Sequence, residues 1–257
     1  MDRVSACAED LMAYRVGGHG AEREDLGWVV LTNIPGPNPL LGAVARIRAD
    51  GVEAARVIEE AKRWFTERGR SNCSFWLGPS TVCQGLQVAL AEAGAESLPP
   101  TAAMVLRGEP PVVPGSDVRE VTSIEDYAEF MDIAFELEDQ ASPVRDAVLA
   151  QVAPRYESYC ANENSTALLC SVDGVPVAAG VVQITSQPGI AGLFASAARR
   201  AARGKGCYRA LVRARYELAL AMGCPDVVTQ ASPFSRPILE RLGFEKVADV
   251  SVYVLEW

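Results

Sequence analysis

Residues 196–208, SAARRAARGKGCY, restrict the fold more than any other stretch of this chain. An apolar strand pattern, Ile190 to Ala195, leads into them, and helical periodicity from Cys207 to about Met222 leads out. A strand-to-helix junction of this kind leaves the first backbone N–H groups of the helix unpaired, at the positive end of its dipole. Gly204 and Gly206 have no Cβ, so an anion can approach the backbone closely. Arg203 and Lys205 add charge-assisted hydrogen bonds. Together these features make a cradle for a pyrophosphate.

Two common phosphate loops do not fit. A Walker loop needs a hydroxyl directly after its lysine, but Lys205 is followed by Gly206. A dinucleotide fingerprint needs a third glycine and an acid ending the next strand. Here Arg209 stands at the glycine position, and the strand ends in Gln230, Ala231 and Ser232.

The flanking pattern is more specific. Thr166 to Val172 and Val175 to Thr185 read as strands joined by the Asp173-Gly174 turn. After the glycine loop come a buried strand (Asp226 to Ala231), a helix (Phe234 to Arg241) and Leu242-Gly243-Phe244, with Gly243 as the helix stop. Glu245 to Leu255 closes as a strand. This order, with Arg203 and Gly206 in the pattern Gln/Arg-x-x-Gly-x-Gly/Ala, resembles the GNAT superfamily of acyl-CoA-dependent N-acyltransferases. Tyr208 takes the third position, where Gly or Ala is usual.

The resemblance implies an α/β (α+β) GNAT fold, a mixed central sheet flanked by helices, with acetyl-CoA as co-substrate and no metal. It assigns Ala195, Ser196 and Ala197 to the pantetheine and thioester carbonyl. Arg203, Gly204, Lys205, Gly206, Cys207 and Tyr208 fall to the pyrophosphate. The implied chemistry is direct attack of a small-molecule amine on the thioester. Relatives carry a tyrosine acid where this chain has Leu239, and Asn and Ala where it has Ser232 and Ser235. No carboxylate lies on residues 190–197, where many relatives place a base. Acids come instead from the end of the helical segment Ile124 to Gln140, as Glu136, Glu138 and Asp139. Glu138 and Ser232 are the catalytic candidates. Gln183 and Gln230 are strand amides that cannot act as bases. His19, the only histidine, sits in a glycine-rich loop and is set aside.

The N-terminal half repeats part of this pattern. Gly69 to Pro79 and Gly223 to Pro233 are equally spaced, and each follows an amphipathic helix (Val52 to Arg68, Cys207 to Met222). Further helices end at Gly94 and Gly243, and strands at Met104–Leu106 and Tyr253–Leu255 follow. We read an internal duplication. The first copy has Asp50-Gly51 before its helix, a good cap but a poor phosphate neighbour. It also shows one strand, Gly27 to Thr32, before the turn at Pro35–Pro39. The expected division is a truncated, degenerate GNAT-like domain over 1–110 and a full acetyl-CoA-binding domain over 116–257. A stiff proline-rich linker, Gly108 to Gly115, joins them.

Composition narrows the partners. A net charge of −9 gives no broad basic surface for nucleic acid. No apolar run reaches a membrane span, and the N-terminus carries acids where a signal peptide is apolar. Seven cysteines without a Cys-x-x-Cys pair point to reduced thiols in a cytoplasmic protein. Cys207, at a helix start beside cations, is read chiefly as a small packing residue. The excess of arginine and alanine hints at a GC-rich bacterial genome. Two functions remain open: an N-acyltransferase for a small amine, with homodimerisation undecided, and a non-catalytic acyl-CoA-binding or regulatory module.

Overall fold

Apolar spacing decides which faces of this chain are buried, and two units result. The computed structural model describes all residues except 18, 19, 37 and 138–141, and omits the side chains of 142–144. One unit comprises Met1–Val105 with Gln230–Trp257, the other Leu106–Thr229. The chain runs through α1 (Arg3–Glu9), β1 (Glu22–Asp25), β2 (Val30–Asn33), β3 (Gly42–Ala45), α2 (Ala54–Thr66), β4 (Asn72–Leu77), α3 (Leu86–Glu92) and β5 (Glu96–Leu106). Next come β6 (Asp117–Glu120), α4 (Ile124–Ala134), α5 (Ser142–Leu149), α6 (Val152–Cys160), β7 (Ser165–Val172), β8 (Val175–Ile184) and β9 (Ile190–Ala198). It ends with α7 (Cys207–Ala221), β10 (Asp226–Ala231), α8 (Arg236–Arg241) and β11 (Phe244–Glu256).

In the first unit the strand order is β1-β2-β3-β4-β11-β5. β3 and β4 are parallel, while β1–β2, β2–β3 and β4–β11 are antiparallel. Helix α2 turns Val57, Ile58, Ala61, Trp64 and Phe65 onto this sheet, the spacing of one apolar helix face. They meet Leu31, Val44, Phe75 and, from the far end of the sequence, Leu255. Three short strands stand where the sequence suggested one. β1 is ERED and exposed throughout, and β3 is four wholly buried residues, so neither shows the alternation that reveals a strand. The compact units also run differently from a division at 110 and 116. The closing strand β11 pairs with β4, from Ser251–Leu77 to Glu256–Asn72, which places residues 230–257 with the first unit.

In the second unit, neighbouring residues of one strand serve opposite layers, as the two-residue period requires. Ala167, Leu169 and Ala179 face Tyr127, Phe130 and Met131 of α4. Leu168, Cys170 and Ala178 face Cys207, Ala210 and Leu211 of α7. The strand order is β10-β9-β8-β7-β6, antiparallel except for the parallel β9–β10 pair. Ser123 caps α4 by accepting the Asp126 N–H at 3.1 Å.

Because β11 lies between β4 and β5, its backbone N–H groups are committed to ladders. Val252→Pro is expected to destabilise the protein by about 3 kcal/mol or more, read as a lowered midpoint in urea unfolding.

Candidate functional site

A single bulge organises the exposed end of β9. The β8–β9 ladder pairs Val181 with Phe194 and then Ala179 with Ala197, so Ala195 and Ser196 together stand opposite Gly180. Ala195 takes the left-handed conformation, φ +47°, which is costly for a residue with a Cβ. Ala195 and Ser196 are exposed, and Ala197 is half-buried. The parallel ladder to β10 ends at Leu193–Thr229, where the Thr229 hydroxyl donates to the Leu193 carbonyl at 2.9 Å. Beyond that point β9 turns its bulged backbone away from regular pairing with β10.

Eight residues further on, the chain passes through Arg203, Gly204, Lys205 and Gly206 into α7. Gly204 has φ +81° and Gly206 φ +90°, the latter as N-cap, and no side chain caps the helix. Its first N–H groups are therefore aimed outward with the helix dipole behind them. Arg203 and Lys205 are exposed, and Arg203 pairs with Glu136 at 3.2 Å. Both partners of that pair are more than half exposed, so it is worth at most ~1 kcal/mol and a bound anion can replace it. Cys207 is buried beside Cys170, whose thiol burial pushes up to about 12, and it fills space under α7. Tyr208 is half-buried.

Helix α4 supplies a charged wall. Asp132 is buried and receives Arg199 at 2.6 Å and Arg145 at 3.3 Å. With Ile133, Glu136, Ala198 and Arg199 it lines a shallow surface depression. Glu136 itself has φ +48°. The segment expected to be helical to Gln140 leaves the helix after Ala134.

The first unit also carries a non-glycine residue of positive φ beside a parallel strand pair. Arg46, just after β3, has φ +49°, and β3 runs parallel to β4 as β9 does to β10. Its backbone N–H is taken, however, by the carboxylate of buried Asp10, which also binds Arg48 at 2.6 Å. Burial raises the Asp10 carboxyl above its usual value, with Arg48 opposing the shift. The following helix starts from Glu53, without a glycine loop.

The structure brings Ala195, Ser196, Ala197, Arg203, Gly204, Lys205, Gly206, Cys207 and Tyr208 into one continuous strand-loop-helix segment of the second unit. Ser232 falls in the first unit, exposed, with its hydroxyl 3.2 Å from that of Ser235 at the turn before α8. Glu138, Asp139 and His19 lie outside the described residues. Gln230 is structural: its amide donates to the carbonyls of Ala8 and Glu9 at the end of α1. Leu239 is buried. Sequence reasoning missed Arg215 and Gly180. An isolated glycine within the β8 pattern was the available signal, since it marks a bulge or a close approach. Among the described residues no helix is long and apolar enough to cross a membrane.

Residues 129–244 match the model of the Acetyltransferase (GNAT) family. The whole chain has the fold of several solved structures. A GCN5-related N-acetyltransferase from Kribbella flavida superposes with TM-score 0.68 and 19% identity, covering 99% of this chain and 96% of that one. A tandem GNAT protein from the clavulanic acid biosynthesis pathway gives 0.58 and 16%, covering 100% and 88%. A functionally unknown conserved protein from Staphylococcus epidermidis gives 0.62 and 12%, covering 92% and 94%. No curated protein matches the chain.

Exposed Cys160 and half-buried Cys83 are expected to react first with a thiol reagent in the native state, and Cys207 only on unfolding. Ellman titration of the parent and of Cys207→Ser should give the same fast phase, reduced by one thiol only in denaturant.

Proposed function

We propose that this chain, whose residues 129–244 match the GNAT acetyltransferase family model, is an N-acetyltransferase for a small-molecule amine. Acetyl-CoA, or another short acyl-CoA, is the donor. The observation that carries the reading is the conjunction of an exposed bulge at Ala195–Ser196 and an uncapped helix start at Gly206, on one segment with Arg203 and Lys205. A pyrophosphate fits the second feature, because glycine backbone, dipole and two cations converge there. The first offers strand-end backbone donors at the place where the resemblance puts the thioester carbonyl.

The reaction then needs few side chains. The amine nitrogen attacks the carbonyl carbon, a C–N bond forms, and the oxyanion is held by N–H groups of the bulge. Collapse breaks the C–S bond, and the thiolate leaves with the CoA. The ammonium proton goes to solvent or to a carboxylate of the 132–139 segment, Glu138 being the candidate base. The thiolate takes a proton from water, because Leu239 replaces the tyrosine acid of the relatives. The acidity of that segment suits a cationic acceptor, such as a polyamine, an aminoglycoside or an amino-acid-like metabolite.

We read the first unit as a degenerate copy that takes no acyl-CoA. Asp10 already occupies the Arg46 N–H, and α2 has no glycine loop before it. The buried Leu239 also supports a second reading, in which the protein holds acyl-CoA without turning it over.

Calorimetry with acetyl-CoA should give one site per chain. CoA release with an amine panel, followed by chromatography rather than by thiol reagent, separates the two readings. Release above the amine-free background supports the enzyme, and binding without release on every amine supports the module. Gly206→Val forces a side chain into φ +90° and is expected to weaken acetyl-CoA binding by about tenfold or more. Unchanged affinity would refute the pyrophosphate assignment.

A further inference from the structure

Among the described residues Arg215 is the largest fully buried side chain, and its hydrogen bonds there go to carbonyls and a hydroxyl rather than to a carboxylate. It sits in α7 on the face turned to β8 and β9. Its Nε donates to the Leu211 carbonyl at 3.0 Å. Its Nη1 donates to the Ser196 hydroxyl at 2.5 Å and lies 3.4 Å and 3.5 Å from the carbonyls of Val181 and Phe194. Those two carbonyls belong to the last regular pair before the bulge, and Ser196 is one of the two bulged residues. Nη2 is buried without a hydrogen-bond partner.

Gly180 makes room for this group. A Cβ there would stand 2.9 Å from both Cζ and Nη1 of Arg215. The residue opposite the bulge is therefore a glycine because the guanidinium fills the space a side chain would take. Burial pushes the guanidinium down to about 10, so it remains a cation at neutral pH. A buried cation without an anion is expensive. Here it is distributed over three carbonyls and a hydroxyl, and those of Val181, Phe194 and Ser196 flank one distortion of the β8–β9 ladder.

We propose that Arg215 is the positioning residue for the acyl group. Its guanidinium locks Phe194, Ala195 and Ser196 in the bulged conformation, and it places a positive charge behind the backbone that faces the thioester carbonyl. This rests on the acyl-CoA reading above. Negative charge developing on the carbonyl oxygen, and then on the sulfur, is stabilised by that fixed charge in a low-dielectric interior. The residue acts through the bulge and does not touch the substrate.

The test compares two ligands that share the pyrophosphate and differ at the bulge: acetyl-CoA and desulfo-CoA, which lacks sulfur and acyl group. Arg215→Met should weaken acetyl-CoA about tenfold or more while desulfo-CoA stays within about twofold, and Arg215→Lys should recover part of the loss. With an amine that turns over, kcat should fall about 10²-fold, by more than KM for acetyl-CoA changes. Ser196→Ala and Gly180→Ala disturb the same anchor from either side and should reproduce the selective loss, including where Arg215→Met does not fold. Equal weakening of the two ligands, or no weakening of acetyl-CoA in the Ser196 and Gly180 variants, overturns the proposal. A parent protein that binds neither ligand overturns the acyl-CoA reading itself, and this inference with it.

Discussion

The second unit depends on two adjacent strands being unable to stay together. β9 and β10 run parallel for four residue pairs and then lose their ladder at Leu193–Thr229. The two-for-one insertion of Ala195 and Ser196 against Gly180 bends β9 at this point. Backbone polar groups released from a ladder must be satisfied elsewhere. On the inner side the guanidinium of Arg215 and the hydroxyl of Thr229 satisfy them. On the outer side they stay exposed, beside Ala195 and Ser196. A strand that had simply continued would offer no such surface.

A left-handed non-glycine residue beside a parallel strand pair occurs in both units, with different surroundings. Arg46 and Ala195 are both non-glycine residues of positive φ, Arg46 just after β3 and Ala195 within β9, and each of these strands is parallel to the next one in sequence. At Arg46 an internal carboxylate, Asp10, takes the backbone donor, and Arg48 compensates its charge. At the other site Ala195 and Ser196 are exposed among the described residues, and a glycine loop follows.

Local signals made much of the second unit legible. The Asp173-Gly174 turn, the β7 and β8 runs, the α7 periodicity and the glycines at 204 and 206 all carry their conformation in nearby residues. The first unit was harder. β1 is uniformly charged and exposed and β3 is uniformly buried, so neither shows a period. Helix α4 was read too long because Phe135 and Leu137 continue its apolar pattern past the point where the backbone turns at Glu136, φ +48°. Ser232, which stands where relatives carry Asn, has its hydroxyl 3.2 Å from that of Ser235.

The sequence by itself determined the glycine loop, its cations and the helix they open, because a glycine turn and a helix start are set by consecutive residues. It also determined the family resemblance, which rests on element order. Tertiary structure decided what lies behind the bulge and where the last strand goes. The meeting of Arg215 with Ser196 and Gly180 joins three elements, and nothing in the helix pattern marks that arginine as buried. The pairing of β11 with β4 joins residues more than 170 positions apart. Both depend on contacts distant in sequence, where burial and hydrogen-bond satisfaction outweigh local preference.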